Sequence, residues 1–237
     1  MNYRKSNVAA LIINLTVIIL TAYSVAHNFR QDIIRVPETV NGGELTDFTG
    51  IYSFRYFTTL SNVFAAISAA ITLVFNVKNV INDEYLFPRW VMILKHAATS
   101  AATLTFITVA LFLSPLIVVY GKSYFTLFKG NSFFFHFLLP VLSVVCFTVF
   151  EKSPELPFKS TFIALLPTTF YSFLYTIMVA GLKYWPDFYS FTFNERFWAL
   201  PITMTAMFAL SYGICVLIFF FRKSRRQKVA AANRLVL

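Results

Sequence analysis

The sequence predicts an all-α fold, a polytopic membrane protein built as a six-transmembrane-helix bundle. The chain has 237 residues, of which 58% are hydrophobic and 13% are charged, whereas soluble domains carry about 25% charged residues. Its apolar stretches are close to twenty residues long, the length that an α-helix needs to cross a hydrocarbon core of about 30 Å. Lysine and arginine are biased toward alternate connections between these stretches, as in multi-pass membrane proteins.

Six apolar stretches are predicted to form the spans. They cover residues 8–26, 56–75, 91–119, 132–150, 161–182 and 198–221. The first resembles a signal peptide, but it is longer than the usual apolar region of one, so it is interpreted as a retained helix. Because the connections are too short for a separate core, residues 1–237 are predicted to form a single membrane domain that ends in a basic tail, 222–237.

The positive charges set the predicted orientation, because lysine and arginine in short connections are retained on the cytoplasmic side. With the N-terminus inside, most of the 20 basic residues are internal. Both termini are therefore predicted to be cytoplasmic, in a protein of the cell membrane. The net charge of +10 owes much to the tail, which favours contact with anionic membrane lipids over a nucleic-acid partner.

Familiar motifs of soluble enzymes are missing from the sequence. There is no glycine-rich phosphate loop, no HExxH metal motif and no GxSxG serine motif. Cys146 and Cys215 lie in apolar spans without partners at motif spacing, so they are interpreted as small buried hydrophobes. No metal and no cofactor are predicted.

The second span opens with polar residues in the stretch FRYFTTLSNVF, residues 54–64. At 100° per residue, Arg55, Thr58, Thr59 and Asn62 fall on one face of a helix. Two interpretations stay open. The face is either a packing seam, with threonine hydroxyls bonded to the preceding turn and Arg55 extended to the headgroups, or part of a functional site.

The fourth span adds a histidine near its start. Asn131 lies at the boundary, His136 about one turn inside, and Pro140 one turn further, where it predicts a kink. In the predicted orientation the second and fourth spans run in the same direction, so Thr58 and His136 lie at similar depth. A neutral imidazole accepts a proton from a hydroxyl and returns it to a leaving group, so this pair is a candidate acyl-transfer centre.

Three stretches carry a resemblance to a known family. They are Arg55-Tyr56-Phe57-Thr58, then Asn131 with His136 and Pro140, and then Pro167 through Tyr184-Trp185-Pro186-Asp187-Phe188. Together they resemble the androgen-induced-gene family (FAR-17a-like) of six-transmembrane proteins, in its bacterial form, over nearly the whole chain. Animal members hydrolyse fatty acid esters of hydroxy fatty acids with a threonine and a histidine. The resemblance thus implies Thr58 as nucleophile and His136 as its catalytic partner.

Several assignments stay open within this resemblance. Thr59 competes with Thr58 as the nucleophile, and Arg55, Asn62 or Asn131 is expected to orient the substrate or stabilise an oxyanion. Cys146 stands where many bacterial relatives carry an acidic residue, six positions after the proline. If that acid orients the histidine, its loss lowers the activity expected of this chain.

The leading hypothesis is an integral membrane hydrolase that takes fatty acyl esters from the outer leaflet. The alternatives are a transporter or channel for small solutes, and a non-catalytic scaffold. A transporter needs polar groups that continue toward the inner face, and the sequence shows few there apart from Lys95, His96 and scattered threonines, which favours a one-sided pocket. The aromatic residues of 184–191 are interpreted as an interfacial belt, or alternatively as a lid over the site.

Overall fold

Six long helices make up the structure, a computed structural model that describes residues 3–34, 50–82, 87–151, 155–193 and 196–234, without the side chains of 3, 31–34, 226 and 228–234. The helices are α1 (Tyr3–Ile34), α2 (Phe57–Asn82), α3 (Arg89–Val119), α4 (Asn131–Phe150), α5 (Ser160–Gly181) and α6 (Ala199–Arg234). Each contains a segment long and apolar enough to cross a membrane, and the described residues contain no strand. The predicted six-helix, all-α fold is confirmed.

Three helices extend well beyond their predicted spans. α1 continues to Ile34, α2 continues to Asn82, and α6 runs into the basic tail as far as Arg234. Hydropathy detects only the apolar part of a helix, whereas the tail is rich in Lys, Arg, Gln and Ala, which are strong helix formers. As far as Arg234, the tail is therefore a helical extension of the last span.

The helices pack around α3, which contacts α2, α4, α5 and α6, while α1 packs on α2 and α4. Consecutive helices are antiparallel. Asn131 at the start of α4 bonds to the end of α1, and Ser6 at the start of α1 bonds to Phe150 at the end of α4. We call the end that holds the start of α2 the Thr58 end, and the opposite one, which holds Arg89 and Lys223, the basic end.

Many polar side chains lie in the interior of the bundle, beside several apolar clusters, whereas many large apolar side chains are exposed on its surface. On α1 the buried polar positions recur every three, four or seven residues: Asn7, Asn14, Thr21, Ser24 and Asn28. Large apolar side chains of the same helix are exposed: Ile12, Leu15, Ile19 and Tyr23. A water-soluble helix has the reverse pattern, whereas a bilayer places apolar side chains outside and polar ones against other helices. The chain is thus a multi-pass membrane protein.

The predicted kink at Pro140 takes the form of a π turn. In this turn, Phe134–Leu138, the N–H of Leu139 bonds to the carbonyl of Phe134, five residues earlier. Pro140, the next residue, has no N–H to donate and its ring crowds the preceding turn, so a wider turn accommodates it. His136 lies inside the π turn, which is a common setting for functional residues.

Candidate functional site

A cavity of about 410 Å³ opens at the Thr58 end, and both predicted catalytic residues line it. Its walls come from α2, α3, α4 and the loop between α5 and α6. No hydrogen bond links Thr58 to His136 within the described part of the chain. A proton passing between Thr58 and His136 therefore needs a substrate or a water molecule in the cavity to bring the two groups together.

His136 is held in one tautomer by a backbone carbonyl. Its Nδ1 lies 2.5 Å from the carbonyl oxygen of Leu127. Because a carbonyl only accepts, Nδ1 carries the hydrogen, and Nε2 of the neutral ring is a proton acceptor. Leu127 belongs to a short 3₁₀ helix, Tyr124–Phe128, which the sequence analysis did not connect with the histidine. The arrangement gives a buried imidazole with a defined basic nitrogen.

Thr58 lies in the first turn of α2, beside the hydroxyl of Tyr189. The Phe57 N–H donates to that hydroxyl at 2.9 Å, and the hydroxyls of Thr58 and Tyr171 lie within hydrogen-bonding reach of it. Burial raises the pKa of the Tyr189 phenol, and these three neighbours oppose the rise only in part. Tyr189 therefore stays protonated in the ordinary pH range. Sequence reasoning placed it in an aromatic loop and did not nominate it for the site.

Thr59 occupies a different environment from Thr58. It is fully buried, its hydroxyl has no hydrogen-bond partner among the described residues, and it does not line the cavity. Of the two threonines that the sequence left in competition, Thr58 is the one whose side chain faces the cavity.

Asn62 connects the backbones that carry the two predicted catalytic residues. Its Nδ2 donates to the carbonyls of Thr58 at 2.8 Å and Phe135 at 3.0 Å. Phe135 directly precedes His136, so one amide group fixes the start of α2 against the π turn of α4. Both of its N–H bonds are occupied, so Asn62 has no free donor for an oxyanion.

Asn131 and Arg55 make contacts outside the cavity wall. Nδ2 of Asn131 donates to the Ser24 carbonyl at 3.0 Å and to Oδ1 of Asn28 at 2.8 Å, which ties the start of α4 to α1. The Arg55 guanidinium lies 4.4 Å from the centre of the Tyr52 ring. The structure thus brings Thr58 and His136 to one cavity, while Asn62, Asn131 and Arg55 support the surrounding helices.

Asp187 organises the loop between α5 and α6 over the cavity. Its carboxylate accepts hydrogen bonds from the Tyr175 hydroxyl, the Phe191 N–H, and both the N–H and the hydroxyl of Thr192. These bonds fold the loop inward and bury Tyr189. A purely interfacial belt does not describe this loop, because Tyr189 and Phe191 are buried in the bundle.

A second buried polar cluster lies toward the basic end. Nζ of Lys95 lies 3.5 Å from Oε1 of Glu151, with both side chains buried, and Asn14 donates to the same oxygen at 2.8 Å while accepting a bond from Lys95. The Cys146 thiol also lies 3.3 Å from Oε1. Sequence reasoning missed the cluster because Glu151 falls one residue beyond the predicted fourth span and Asn14 carries no charge.

The position of this cluster shows what an acidic residue would contact if it replaced Cys146, as in many bacterial members of the resembled family. Ten residues separate Cys146 from His136, which is about 15 Å along a helix, so an acid at 146 does not orient the histidine in this fold. The carboxylate of Glu151 reaches the thiol of Cys146 instead. The residue type at position 146 thus affects the basic end of the bundle rather than the cavity.

The expectation of few polar groups toward the basic end was wrong. Buried polar side chains continue from the cavity level through the bundle: Ser68, Thr72, Asn76, Lys95, His96, Thr99 and Ser100. Oδ1 and Nδ2 of Asn76 and Oε2 of Glu151 have no hydrogen-bond partner among the described residues. The polar positions were visible in the sequence, but only packing shows that they all face inward.

The fold and the cavity define a class: a six-helix, multi-pass membrane protein with a polar interior and a chamber near one end. Comparison with protein-family models, with curated proteins and with solved structures found no match. The resemblance to the androgen-induced-gene family therefore stays a prediction.

Proposed function

We propose that this protein is a membrane hydrolase of fatty acyl esters in which Thr58 is the nucleophile and His136 is the general base and acid. One observation carries the proposal: Thr58 and His136 line the same cavity, with Nδ1 of the histidine committed to the Leu127 carbonyl. The free Nε2 is the nitrogen that accepts a proton from a nucleophilic hydroxyl.

The reaction proceeds in two halves. Oγ1 of Thr58 attacks the ester carbonyl carbon while its proton passes to Nε2 of His136, and the tetrahedral intermediate collapses as the ester C–O bond breaks. His136 gives its proton to the leaving alcohol, which leaves an acyl-threonine. Water then loses a proton to His136 and attacks the acyl carbon, and the fatty acid departs as Thr58 recovers its proton.

The surroundings of Thr58 fit an acyl chain. A second cavity of about 40 Å³ lies deeper in the bundle, and Thr58 and Tyr189 line it together with apolar residues that include Leu104, Met204 and Met207. An ester carbonyl placed at Thr58 therefore has two spaces beside it, the large cavity and the small second one, which we call the apolar slot, and both have largely apolar walls. The large cavity has the size of a small-molecule site and suits an acyl chain, whereas the slot holds only a small group.

The orientation of the bundle in the membrane is assigned from its positive charges. The basic end carries exposed or half-exposed cations on three helices and their connections: Lys78, Arg89, Lys159, Lys223 and Arg225. We assign this end and both termini to the cytoplasm, following the retention of positive charge. The cavity then faces the outer leaflet of the cell membrane, from which it takes its lipid.

Labelling with a fluorophosphonate probe tests this function. The probe is expected to label the purified wild-type protein on Thr58, and Thr58→Ala and His136→Ala are each expected to lower labelling by about 10³-fold or more, because members of such a pair act as a unit. Thr59→Ala is the matched control, since Thr59 is buried beside Thr58 and does not line the cavity; it is expected to retain labelling. Undiminished labelling of folded Thr58→Ala and His136→Ala would overturn the assignment.

A transporter is the second candidate, and the buried polar groups between the cavity and the basic end favour it. Ser68, Asn76 and Lys95 are buried at 3% exposure or less, and ionisable groups at membrane depth commonly mark an ion or substrate pathway. If the folded wild-type protein is not labelled by the probe, transport replaces hydrolysis as the function that better explains the buried polar groups.

A further inference from the structure

We propose that Tyr189 is the oxyanion donor of the site, a role that rests on the proposed hydrolase function. Attack on an ester produces a negatively charged oxygen, and hydrolases stabilise it with hydrogen-bond donors that are already aimed at its position. Several tyrosines line the large cavity or the apolar slot, and among the described residues Tyr189, on the loop between α5 and α6, is the one that lines both.

The residues that the sequence nominated for this role present no free donor to the cavity. Both Nδ2 hydrogens of Asn62 go to backbone carbonyls. Those of Asn131 go to acceptors on α1. Arg55 lies over the Tyr52 ring and does not line the cavity. A donor for the oxyanion must therefore come from another residue of the wall.

The Tyr189 hydroxyl meets the geometric requirement. It lies beside the Thr58 hydroxyl, and Tyr189 lines both the large cavity and the apolar slot, the two spaces that meet at Thr58. Its oxygen accepts the Phe57 N–H at 2.9 Å, which leaves its own hydrogen to donate. The hydrogen of the neighbouring Tyr171 goes to the Arg55 carbonyl at 2.7 Å, so the Tyr171 oxygen is the acceptor within reach of the Tyr189 hydroxyl at rest, and the oxyanion replaces it during the reaction.

The burial of Tyr189 strengthens the hydrogen bond that its phenol donates. Tyr189 is 7% exposed, and a hydrogen bond to a charged oxygen is stronger in such a low-dielectric setting than in water. Burial also raises the pKa of the phenol, so the group donates a hydrogen bond and transfers no proton. When Oγ1 of Thr58 bonds to the carbonyl carbon, the carbonyl oxygen takes the negative charge next to this phenol. The bond weakens again when the C=O group reforms and the ester C–O bond breaks.

Tyr189→Phe tests the inference, because it removes one hydroxyl and preserves the ring. The rate of fluorophosphonate labelling is expected to fall by about 10²–10³-fold, and the inhibition constant of an alkyl trifluoromethyl ketone, which forms a tetrahedral adduct, is expected to rise by a similar factor. Binding of the matching unreactive alkyl ether is expected to change by less than about 3-fold, since it carries no developing charge. The matched control is Tyr124→Phe, which removes a phenol that donates to the Ala110 carbonyl and lines neither cavity.

The outcomes separate this inference from the proposed function. If the wild type is labelled and Tyr189→Phe is labelled at the same rate, the oxyanion role is overturned and hydrolysis stands. If Tyr189→Phe weakens the binding of the ketone and of the ether by the same factor, Tyr189 only shapes the site and the oxyanion role is again overturned. Absence of labelling in the wild type removes the hydrolase function itself. Should Tyr189→Phe fail to fold, fluorotyrosine at position 189 keeps the shape and makes the phenol a stronger donor; unchanged affinity for the ketone then contradicts the inference.

Discussion

At the scale of single residues, the most costly feature is the buried ion pair of Lys95 and Glu151. Removing two charges from water costs several kcal/mol per ion, and only good geometry with additional hydrogen bonds recovers it. Asn14 provides these bonds by donating to Glu151 and accepting from Lys95. The three residues come from α1, α3 and the end of α4, so the pair connects three helices through one polar contact.

Removing one charge of this pair is expected to destabilise the protein strongly. Lys95→Met or Glu151→Leu leaves a buried charge without its partner, at a cost of about 3–5 kcal/mol. The double variant removes both charges, so its loss is expected to be clearly smaller than the sum of the two single losses. Thermal unfolding of the purified protein in detergent, analysed as a double-mutant cycle, measures the coupling.

The exposed pair of Lys223 and Glu155 is the matched control. Its atoms are 4.0 Å apart and the side chains are 43% and 67% exposed, and such pairs contribute about 1 kcal/mol or less. Truncating either residue is expected to leave the melting temperature nearly unchanged. Additive losses at Lys95 and Glu151, of the same size as in this control, would show that the buried pair is not coupled.

Individual site residues differed in how far the sequence predicted them. Thr58 and His136 were predictable, because two helices that run in the same direction place residues near their starts at the same depth. Tyr189 was not, because the fold of its loop depends on Asp187 and on packing against α5. Glu151 was missed for another reason: hydropathy ends a span at the first charge, although this charge is buried.

At the scale of elements, the loop between α5 and α6 is held in a strained conformation. Lys183, Ser190 and Phe193 have φ values of 55°, 56° and 45°, in a region that side chains other than glycine rarely adopt. Such residues cost about 1–3 kcal/mol each and persist where surrounding contacts determine the backbone. The four hydrogen bonds to Asp187 supply those contacts.

Asp187→Asn is expected to release this loop. An amide in place of the carboxylate puts an NH₂ group against N–H or hydroxyl donors, so at least two of the four bonds are lost. Hydrogen bonds to a charged group contribute about 1.5–3 kcal/mol each. Proteolysis between residues 182 and 198 is expected to become faster, and probe labelling to fall, because Tyr189 and the wall of the cavity move with the loop.

Lys183→Gly is the control for Asp187→Asn, because it relieves backbone strain in the same loop and leaves the hydrogen bonds of Asp187 in place. The side chain is exposed, and glycine adopts the positive φ without penalty, so this variant is expected to match or exceed the wild type in stability and to retain labelling. If Asp187→Asn is cleaved no faster than Lys183→Gly, the carboxylate does not hold the loop.

The helices themselves were predictable because length and hydropathy specify them, but their internal irregularities were only partly so. Pro140 signalled a break in α4, and the structure resolves it as the π turn Phe134–Leu138. A second π turn at the end of the same helix, Cys146–Phe150, contains no proline and follows no proline directly. It depends on contacts with other helices, which a single sequence does not display.

At the scale of the whole molecule, the bundle is an apolar shell around a polar interior. Hydropathy averages over both faces of a helix, so it predicted the six spans correctly and missed the buried column that includes Asn14, Ser68 and Asn76. A bilayer supplies no water to such groups, so they lie inside the protein, where Asn14 is hydrogen-bonded while Ser68 and Asn76 have side-chain atoms without a partner among the described residues. This polar interior is the property that a hydrolase and a transporter share, and the cavity at Thr58 is what favours the first.

The proposed orientation predicts which end of the bundle is accessible from outside the cell. Cysteine labelling tests this prediction, because both native cysteines are buried. Cys146 and Cys215 are fully buried, so a membrane-impermeant maleimide is expected to leave the wild type unlabelled in intact cells. Ser123, at the Thr58 end, and Ser224, at the basic end, are both exposed. Ser123→Cys is expected to react in intact cells, whereas Ser224→Cys is expected to react only after the membrane is permeabilised, because the positive charges around it are retained inside. Reaction of Ser224→Cys in intact cells, with Ser123→Cys protected, would invert the topology and place the cavity in the inner leaflet.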